Sequence, residues 1–388
     1  MSKLFKERIP YKPFEYPDYY TEGWLKQAQA FWLHTEIPMQ GDVKDWNEHL
    51  TKEEKNLVGN ILLGFAQTEC AVSDYWTTMV TNWFPKHEIK QMAMMFGSQE
   101  TIHATAYSYL NETLGLDDFS AFLHEPAIAE KFELLTQTSA DWTHEDLDTN
   151  PEARKEVARS LAIFSAFAEG VSLYSSFAVL YSFQMRNLLK GIGQQMKWSV
   201  RDESLHSKMG CQLFREMCNE FPDLKEASKE TIQEAAKLIV ELESRFIDKM
   251  FEMGDLENLS ASDLKEFIKA RTNTKLQELG YESIFEYNKK KAENLEWFYH
   301  LTGGLTHTDF FAIRPTDYSK AGEGLQRSVD PSDGEVYLYS QGETAHIRNM
   351  FPCFDQPALK ATFTLTVTTP GHWEAVSNNP VESKVAKG

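Results

Sequence analysis

The chain has 388 residues, of which 42% are hydrophobic, and its 58 acidic and 39 basic side chains give a formal net charge of -19. This length and apolar content are typical of a globular protein with one large domain or two ordinary ones, and they exclude a largely disordered chain. The negative charge disfavours nucleic acid or an anionic membrane surface as the main partner.

The N-terminus and the cysteines point to the compartment. The first twenty residues hold no apolar run of the length that a signal peptide needs, so we expect no export. The four cysteines, at positions 70, 211, 218 and 353, form no CxxC pair, as expected of free thiols in a reducing compartment. These features predict a cytoplasmic protein.

From about residue 24 to residue 299, apolar residues recur at the three- and four-residue spacing of long helices. The first long helix follows Thr51, which is a capping residue with an acidic turn after it. The second stops near Gly115, the third covers 151–189, the fourth covers 191–221, and an amphipathic segment covers 225–254. Four or more helices of this length predict an all-α bundle.

Within the third helix, the stretch from Ser160 to Met185 contains one charged side chain, Glu169, in 26 residues. It is long enough to span a membrane, but its many Ser, Tyr and Gln residues and its carboxylate disfavour a span. A helix that is apolar all round is also typical of a helix enclosed by others. We therefore expect a buried bundle helix and no membrane partner.

The composition changes near Tyr318. The segment "PTDYSKAGEGLQRSVDPSDGE" has the Gly, Pro, Ser and Asp content of a connection between modules. Beyond it, "GEVYLYSQ" and "KATFTLTVTTP" have the alternation of strands. So few strands have little core of their own. We expect a short C-terminal β segment attached to the α domain.

Two Glu-x-x-His motifs carry the chemistry. They are Glu100 with His103 and Glu203 with His206, and each pair lies on one face of a helix, one turn apart. Glu69 precedes the first motif by 31 residues and Glu169 precedes the second by 34. A Glu from each of two helices and a Glu-x-x-His from each of two others is the ligand set of ferritin-like dinuclear carboxylate proteins.

Metals explain this set better than an organic cofactor does. Four buried glutamates would repel one another, whereas two divalent cations would neutralise them. Oxygen-rich ligands with one imidazole per ion suit iron or manganese better than zinc. A single Glu-x-x-His is common by chance on a solvated helix face, but two copies with matching upstream carboxylates are far more specific.

These residues, with "AFWLHTEIP", "QETIHATAYSYLNETLG", "FAEGVSLYSSFAVL", "KWSVRDESLHSKMG" and "HTDFFAIRPTDYSKA", resemble the radical-generating small subunit of class I ribonucleotide reductase over about residues 15–321. The resemblance implies a ferritin-like helical bundle, a homodimer, and a separate large catalytic subunit as partner. It also implies two metal ions per chain, held by Glu69, Glu100, His103, Glu169, Glu203 and His206.

The resemblance also implies a path for the oxidising equivalent. Tyr107 stands at the position of the family's radical tyrosine, and Trp32 at that of its near-surface tryptophan. Asp202 matches the aspartate that links this tryptophan to the nearest ligand histidine. Phe177 and Leu173 would form part of an apolar pocket around Tyr107, which keeps water and reductants away.

The first ligand is a departure from the best-known members, because Glu69 stands where they have Asp. That aspartate normally accepts a hydrogen bond from the tyrosine, so the contact with Tyr107 is in doubt here. In having Glu at this position, the chain is similar to branches of the family that keep the oxidising equivalent on a manganese-containing metal pair. Because the tyrosine is retained, we prefer a dimanganese pair, with manganese/iron and di-iron pairs as alternatives.

The C-terminus is a second departure. The family ends in a flexible docking tail, whereas this chain continues into a segment, with "MFPCFDQPALKATF", that is similar to the N-terminal β domain of an aminopeptidase N-type zinc peptidase. No HExxH motif occurs anywhere in the chain, so this segment would not be catalytic. We expect a dinuclear metal domain at 1–322 and an aminopeptidase-like β fragment at 323–388.

The sequence thus predicts an oxidoreductase, the radical-generating small subunit of ribonucleoside-diphosphate reductase, which serves deoxyribonucleotide synthesis. Three alternatives remain open. The same scaffold serves dinuclear-metal oxidases or hydroxylases that bind an organic ligand, and it serves metal-storage bundles that are not enzymes. In the third, the chain folds as a chimera that cannot couple to a large subunit.

Overall fold

A computed structural model describes residues 2–116, 141–295, 297–298, 324–329 and 336–341, and a few residues between 364 and 385. The chain divides into two compact units, Met1–Thr308 and Asp309–Gly388. The described part of the first unit is helical, and the second contains the two strands that the structure describes. The predicted fold class, a helical bundle with a short C-terminal β segment, is confirmed.

Seven of the described helices have twelve or more residues. They are α1 (Lys52–Asp74), α2 (His87–Leu114), α3 (Pro151–Ile163), α4 (Tyr174–Met185), α5 (Lys190–Glu220), α6 (Asp223–Met250) and α7 (Ala261–Glu278). Shorter helical segments are Tyr19–Trp24, Leu25–Gln29, His34–Glu36, Gln40–Lys44, Asp45–His49, Tyr75–Val80, Thr81–Trp83, His144–Thr149, Phe164–Ala168 and Lys289–Glu293.

Local sequence signals set the ends of the first two long helices. Thr51 and Glu54 form a capping box before α1, with Thr51 N donating to Glu54 Oε2 at 2.9 Å and Glu54 N donating to Thr51 Oγ1 at 3.3 Å. Helix α2 ends at Gly115, whose φ of 72° is the left-handed conformation that glycine adopts without a Cβ penalty. Both ends lie where the sequence predicts them.

The predicted continuous helix over 151–189 is wrong. Helix α3 ends at Ile163, a π-helical segment follows over Phe164–Ala168, and α4 begins only at Tyr174. Glu169 N donates to Phe164 O at 3.1 Å, a bond that spans five residues where an α-helix spans four. The extra residue changes the direction in which Glu169 leaves the helix.

Close contacts at Gly170 stabilise this interruption of the helix. A Cβ atom on Gly170 would lie 2.3 Å from Ala166 O and 2.7 Å from Ser207 Oγ of α5, so only glycine fits there. Arg271 of α7 donates its Nε–H to the carbonyl of Gly170. Contacts with two other helices therefore hold the chain out of α-helical geometry, and the local sequence does not reveal them.

The long helices enclose the centre of the first unit. Helix α1 packs along α2, and α5 packs against α2, α3 and α4. Every residue of α4 from Tyr174 to Phe183 is buried, as expected of a helix enclosed by others. None of the described helices combines the length and the apolar character that crossing a membrane requires.

In the second unit, β1 (Gly324–Val329) and β2 (Val336–Gln341) pair antiparallel, with Gly324 opposite Gln341 and Val329 opposite Val336. β2 confirms the strand predicted in "GEVYLYSQ". β1 lies in the segment predicted as a connection, because pairing with β2 orders a stretch whose own alternation is weak. Five of the eleven residues of the other predicted strand, over 360–370, lie outside the described residues, and the six that the structure describes form no strand.

Candidate metal centre

Four helical elements bring the six predicted ligands together. Glu69 comes from α1, Glu169 follows the π-helical segment, and α2 and α5 each supply one Glu-x-x-His pair. All six side chains are buried, with at most 2% of their surface exposed. The i and i+3 spacing gives each motif one carboxylate and one imidazole on the same side of its helix.

The ligand atoms form two overlapping groups in which all atoms lie within 4.8 Å of one another. One group is Glu69, Glu100, His103 and Glu203, and the other is Glu100, Glu169, Glu203 and His206. Glu100 and Glu203 belong to both groups. Two ions held there would share Glu100 and Glu203, and each would have one further Glu and one His.

Both imidazoles turn Nδ1 toward the carboxylates. Nδ1 of His103 lies 2.9 Å from Glu100 Oε2 and 3.0 Å from Glu203 Oε1, and Nδ1 of His206 lies 2.6 Å from Glu100 Oε1. Several of these close atoms are not in hydrogen-bonding geometry, namely Glu100 Oε1, Glu203 Oε1 and His206 Nδ1, and Glu69 Oε1 has no partner. Lone pairs that converge without bonding one another fit divalent cations between them.

Electrostatics support the same conclusion. Burial and the nearby Glu100 carboxylate raise the pKa of Glu69 well above its usual 4.5, and burial with Glu100 and Glu169 does the same to the pKa of Glu203. Burial also opposes ionisation of Glu100, but His206 and His103 outweigh it and lower the pKa of Glu100 to about 2. Without cations the cluster must hold extra protons, which positive ions would replace.

The far side of each imidazole is also held. Nε2 of His103 lies 3.2 Å from Asp202 Oδ2, and Nε2 of His206 lies 3.1 Å from Gln27 Oε1. Both acceptors favour the tautomer with the proton on Nε2, which leaves Nδ1 free to bind a metal. The resemblance of "RDESLH" to the family's motif implied Asp202, but Gln27 lies 179 residues from His206 and has no local signal.

Asp202 joins Trp32, the predicted near-surface tryptophan, to the site. Its Oδ2 accepts from Trp32 Nε1 at 2.7 Å and from Gln99 Nε2 at 3.1 Å, besides its bond to His103. The ring of Trp32 also lies against that of His103, with centroids 5.7 Å apart. Burial opposes ionisation of Asp202, but Arg201 and these donors hold the pKa of the carboxyl well below its usual value.

Trp76 is a contact that the sequence did not indicate. Its Nε1 donates to Glu169 Oε1 at 2.6 Å, and both side chains are buried. This bond uses one oxygen of Glu169 and leaves Oε2 directed at the site, 3.7 Å from His206 Nδ1. A charge-assisted bond of this length fixes the ligand's orientation.

Tyr107 lies in the same core, fully buried, with its ring centroid 6.0 Å from that of His103. Phe65 packs on it at 4.7 Å, and the predicted pocket residue Phe177 packs on Phe65 at 5.4 Å. Leu173 is buried in the same core cluster. The hydroxyl of Tyr107 makes no hydrogen bond to Glu69, and the group beside it is the hydroxyl of Ser199.

Both the fold and the paired ligand groups define a ferritin-like dinuclear carboxylate protein. Residues 8–293 match the family model of the ribonucleotide reductase small chain. The chain is 34% identical over 333 residues to the probable ribonucleoside-diphosphate reductase small subunit of Invertebrate iridescent virus 3, covering 82% of this chain and 86% of the relative. It is 25% identical over 307 residues to the ribonucleoside-diphosphate reductase subunit beta of Chlamydia pneumoniae. That match covers 78% of this chain and 87% of the relative.

Solved structures agree on the fold. A putative class I ribonucleotide reductase of Bacillus halodurans superposes with a TM-score of 0.62 at 22% identity, covering 71% of this chain and 97% of that one. The dimanganese(II) NrdF of Streptococcus sanguinis also superposes with a TM-score of 0.62, at 23% identity. The match covers 74% of this chain and 96% of that one. The chain belongs to the ribonucleotide reductase small-chain family. The prediction of a ribonucleoside-diphosphate reductase small subunit, an oxidoreductase, is confirmed.

The C-terminal part has a second match. Residues 265–388 match the family model of the peptidase M1 N-terminal domain. This range begins before the predicted boundary at 322 and overlaps the reductase match over residues 265–293. Most of the overlap is helical, as it includes nearly all of α7 and the segment Lys289–Glu293.

Proposed function

We propose that this chain supplies the oxidising equivalent for ribonucleotide reduction, using two divalent metal ions held by the six side chains of the candidate centre. The observation that carries the proposal is that Glu100 and Glu203 each belong to both ligand groups, so that two ions would share two carboxylates. A redox-active pair in that position supplies one-electron oxidation when it is bound.

The identity of the ions is the finer part of the proposal. We favour two manganese ions, with manganese/iron and di-iron pairs as alternatives, because Glu69 replaces the aspartate of the best-known tyrosyl-radical members. The hydroxyl of Tyr107 is not bonded to Glu69, and the group beside it is the hydroxyl of Ser199, which is not a base for its proton. This supports an oxidising equivalent that stays on the metals and does not move to Tyr107. The similarity in fold to a dimanganese protein of Streptococcus sanguinis is consistent with this choice.

The protein's own residues hold the site in one arrangement. Asp202 and Gln27 direct Nδ1 of the two histidines inward, and Trp76 restricts Glu169 to one free oxygen. The surrounding side chains exclude water, since Phe65, Phe96 and Phe177 are at most 3% exposed. A dry, preorganised site strengthens each electrostatic contact and protects an oxidised centre from reductants.

Asp202 and Trp32 would carry the electron between the centre and the partner. The indole N–H of Trp32 and Nε2 of His103 share Oδ2 of Asp202, so one carboxylate oxygen connects the tryptophan with a ligand. We propose that a separate large catalytic subunit receives the oxidising equivalent and holds the ribonucleotide. The chain would act as a homodimer in the cytoplasm.

We propose that residues 1–322 form the metal-binding domain and that residues 323–388 are a non-catalytic, aminopeptidase-like fragment. The match to a peptidase M1 N-terminal domain supports the second half of this division, and the sequence contains no HExxH that could bind a catalytic zinc. The fragment stands where family members have their docking tail, so it bears directly on coupling to a large subunit.

Metal analysis tests the central claim. The full chain is loaded with manganese, iron or both, its metal content is measured, and paramagnetic resonance is recorded after exposure to dioxygen or superoxide. We expect two ions per chain and a metal-centred signal. Fewer than two ions in every loading would contradict the site. Ribonucleotide reduction with an added large subunit, with and without a restored native-type tail, then tests the coupling.

A further inference from the structure

We propose that a file of bound water molecules runs along one ridge of helix α5, from Asp42 to the hydroxyl of Tyr107, and carries protons to and from the metal centre. The inference rests on the proposed function for its purpose, because metal binding to carboxylate and imidazole ligands releases protons. The side chains that would hold the water bind no metal, so the file is open to test on the metal-free protein.

The α5 ridge consists of every fourth residue from position 191 to position 203, namely Gly191, Gln195, Ser199 and Glu203. Residues four apart on a helix form a row that winds slowly round the axis. At 1.5 Å per residue, this row is about 18 Å long. Gln195 and Ser199 are fully buried. The α5 ridge therefore carries polar side chains through the core to a ligand of the centre.

The polar atoms along the α5 ridge lack protein partners. Both amide atoms of Gln195, Oγ of Ser199 and the hydroxyl of Tyr107 are buried, and none is in hydrogen-bond geometry with a residue that the structure describes. Buried polar groups without a partner are costly, and those that a folded protein keeps are commonly bonded to water. A buried water makes about three hydrogen bonds. Gln195 and Ser199 together offer that many donors and acceptors.

The inner end of the file is at Tyr107. Oγ of Ser199 lies beside the Tyr107 hydroxyl, and one turn further along α5 is Glu203, which belongs to both ligand groups. Phe65 covers the ring of Tyr107, with the centroids 4.7 Å apart. Water, like the Ser199 hydroxyl, is a weak base, so the file leaves the redox role of Tyr107 unchanged.

The outer end is at Asp42, in the short helix Gln40–Lys44. Its Oδ2 accepts from Gly191 N at 3.0 Å, and its Oδ1 accepts from Ile192 N at 2.8 Å. A Cβ on Gly191 would lie 2.7 Å from Asp42 Oδ2, so the lack of a side chain there lets the carboxylate reach the α5 ridge. Helical side chains lean over the preceding turn, and Gln195 therefore leans toward Gly191 and Asp42.

Asp42 also has the acidity to exchange protons. Burial raises the pKa of Asp42 to about 6, with a smaller contribution from the charge of Asp45, although the two backbone N–H groups oppose the shift. A carboxyl group with a pKa near neutrality both accepts and releases protons readily. Asp45 is partly exposed and its Oδ1 lies 3.0 Å from Nδ1 of His49, whose side chain is 47% exposed. These groups lead from solvent to the start of the α5 ridge.

Each transfer moves one proton and no electron. A proton that leaves the centre binds to the water beside Ser199, which gives one of its own protons to the water beside Gln195. That water protonates Asp42, and Asp42 releases a proton to solvent. Every O–H bond that breaks is matched by one that forms on the next oxygen. A single file of water excludes reductants larger than water, so protons reach a centre that phenylalanine side chains protect.

The test measures how fast the Tyr107 hydroxyl exchanges its proton with solvent. The metal-free full chain is mixed with deuterium oxide, and the infrared bands of the Tyr107 hydroxyl are followed with time. Subtraction of the spectrum of Tyr107→Phe identifies these bands. Circular dichroism and the melting temperature show that each variant is folded. A crystal structure of the parent at high resolution should contain ordered water within hydrogen-bond distance of Gln195 and Ser199.

Five variants separate a water file from general motion of the bundle. Gln195→Leu and Ser199→Ala should each slow the exchange about tenfold or more, because each removes a hydrogen-bond partner of the water. Asp42→Asn should slow it as well, because the amide does not titrate. Ser199→Thr keeps the hydroxyl and should exchange at close to the parent rate. Ser228→Ala is the matched control, since Ser228 is also fully buried with an unpartnered Oγ but lies on α6.

Several results would overturn the water file. They are a parent-like exchange rate in either Gln195→Leu or Ser199→Ala, a Ser199→Thr variant as slow as Ser199→Ala, and an equal slowing in Ser228→Ala. A parent crystal structure without water at Gln195 and Ser199 would overturn it too. Because the exchange is measured without metal, its outcome is independent of metal content. Fewer than two ions per chain would overturn the proposed function and leave the water file standing.

Discussion

Trp76 and Glu169, 93 residues apart in the chain, are joined by a buried hydrogen bond of 2.6 Å from the indole N–H to Oε1. Trp76 lies in the π-helical segment Tyr75–Val80, and Glu169 directly follows the one at Phe164–Ala168. Two departures from α-helical geometry thus meet at one ligand. The orientation of Glu169 depends on both.

Replacing Trp76 by Phe should weaken metal binding without unfolding the chain. The ring is kept, but Glu169 loses the donor that holds Oε1, and the loss of such outer contacts typically lowers metal affinity by about 10- to 100-fold. Manganese titration monitored by paramagnetic resonance measures the affinity. Trp83→Phe is the matched control, since Trp83 is equally buried but its Nε1 has no partner. Equal affinities in the two variants would refute the role of Trp76.

Glu69→Gln should have opposite effects on the metal-free and the metal-bound protein. Burial and Glu100 raise the pKa of Glu69 above 4.5, so the folded state binds this proton more tightly than the unfolded state does. Its contribution to stability is present below pH 4.5 and is lost as the pH rises toward the raised pKa.

The variant should therefore melt at a higher temperature than the parent at neutral pH without metal, and its melting temperature should fall less from pH 5 to pH 8. Its gain in melting temperature on adding manganese should be smaller, because a ligand is missing. Calorimetric scans across pH, with and without manganese, check both signs. A metal-free variant less stable than the parent at pH 8 would contradict the electrostatic account.

Gln27→Leu should lower metal affinity by about tenfold or more, because Nε2 of His206 would lose its acceptor and the imidazole its fixed orientation. Gln195→Leu is the comparison, since Gln195 is also fully buried but both of its amide atoms lack partners. An apolar side chain should be tolerated there and leave metal affinity unchanged. Isothermal titration with manganese distinguishes them, and similar losses in both would argue against an orienting role for Gln27.

Tyr107→Phe should cost little stability, under about 1 kcal/mol in the free energy of unfolding, because its hydroxyl is not in good hydrogen-bond geometry and has only the hydroxyl of Ser199 beside it. Tyr75→Phe should cost more, about 0.5–1.5 kcal/mol, because the Tyr75 hydroxyl is bonded to that of Ser160 at 2.9 Å. Urea denaturation measures both. In the oxidised protein, the paramagnetic signal of Tyr107→Phe should be the same as that of the parent. Loss of that signal in the variant would show that the oxidising equivalent is stored on Tyr107.

Gly210→Ala should destabilise the chain by about 1–3 kcal/mol, because a Cβ would lie 2.0 Å from Ser165 Oγ and 2.6 Å from Ser165 Cβ. Gly41→Ala should be neutral or stabilising by about 0.4–1 kcal/mol, since no atom lies within 4 Å of a Cβ there and the unfolded chain loses freedom. Thermal unfolding of the metal-free forms compares them. A stable Gly210→Ala would show that α5 can move away from Ser165.

The parts of the site that sequence revealed are those encoded within one helix. The i and i+3 spacing of Glu100 with His103, and of Glu203 with His206, is a local property of a helix, and so is the capping box at Thr51. Trp76 and Gln27 were missed because each meets its partner only when separate segments pack. The catalytic roles of Tyr107, Trp32 and Asp202 stay predictions, although the structure brings all three close to His103.

The interrupted third helix shows the same limit. Its apolar content over Ser160–Met185 favoured one continuous helix, because periodicity alone does not distinguish hydrogen bonds across four residues from bonds across five. The π-helical segment depends on Gly170 approaching Ser207 and on Arg271 binding its carbonyl. Those partners lie in α5 and α7, outside any window of local sequence.

The π-helical segment at Phe164–Ala168 has a consequence for how the chain tolerates change. One extra residue in a helix turns everything beyond it by about 100°. Insertions or deletions before Phe164 would therefore rotate Glu169 away from the other ligands. The turn over 170–173, which follows Glu169, would keep α4 from rotating with it. Helix α4 can accept substitutions that keep the volume of its buried side chains, whereas the number of residues from α3 to Glu169 cannot change.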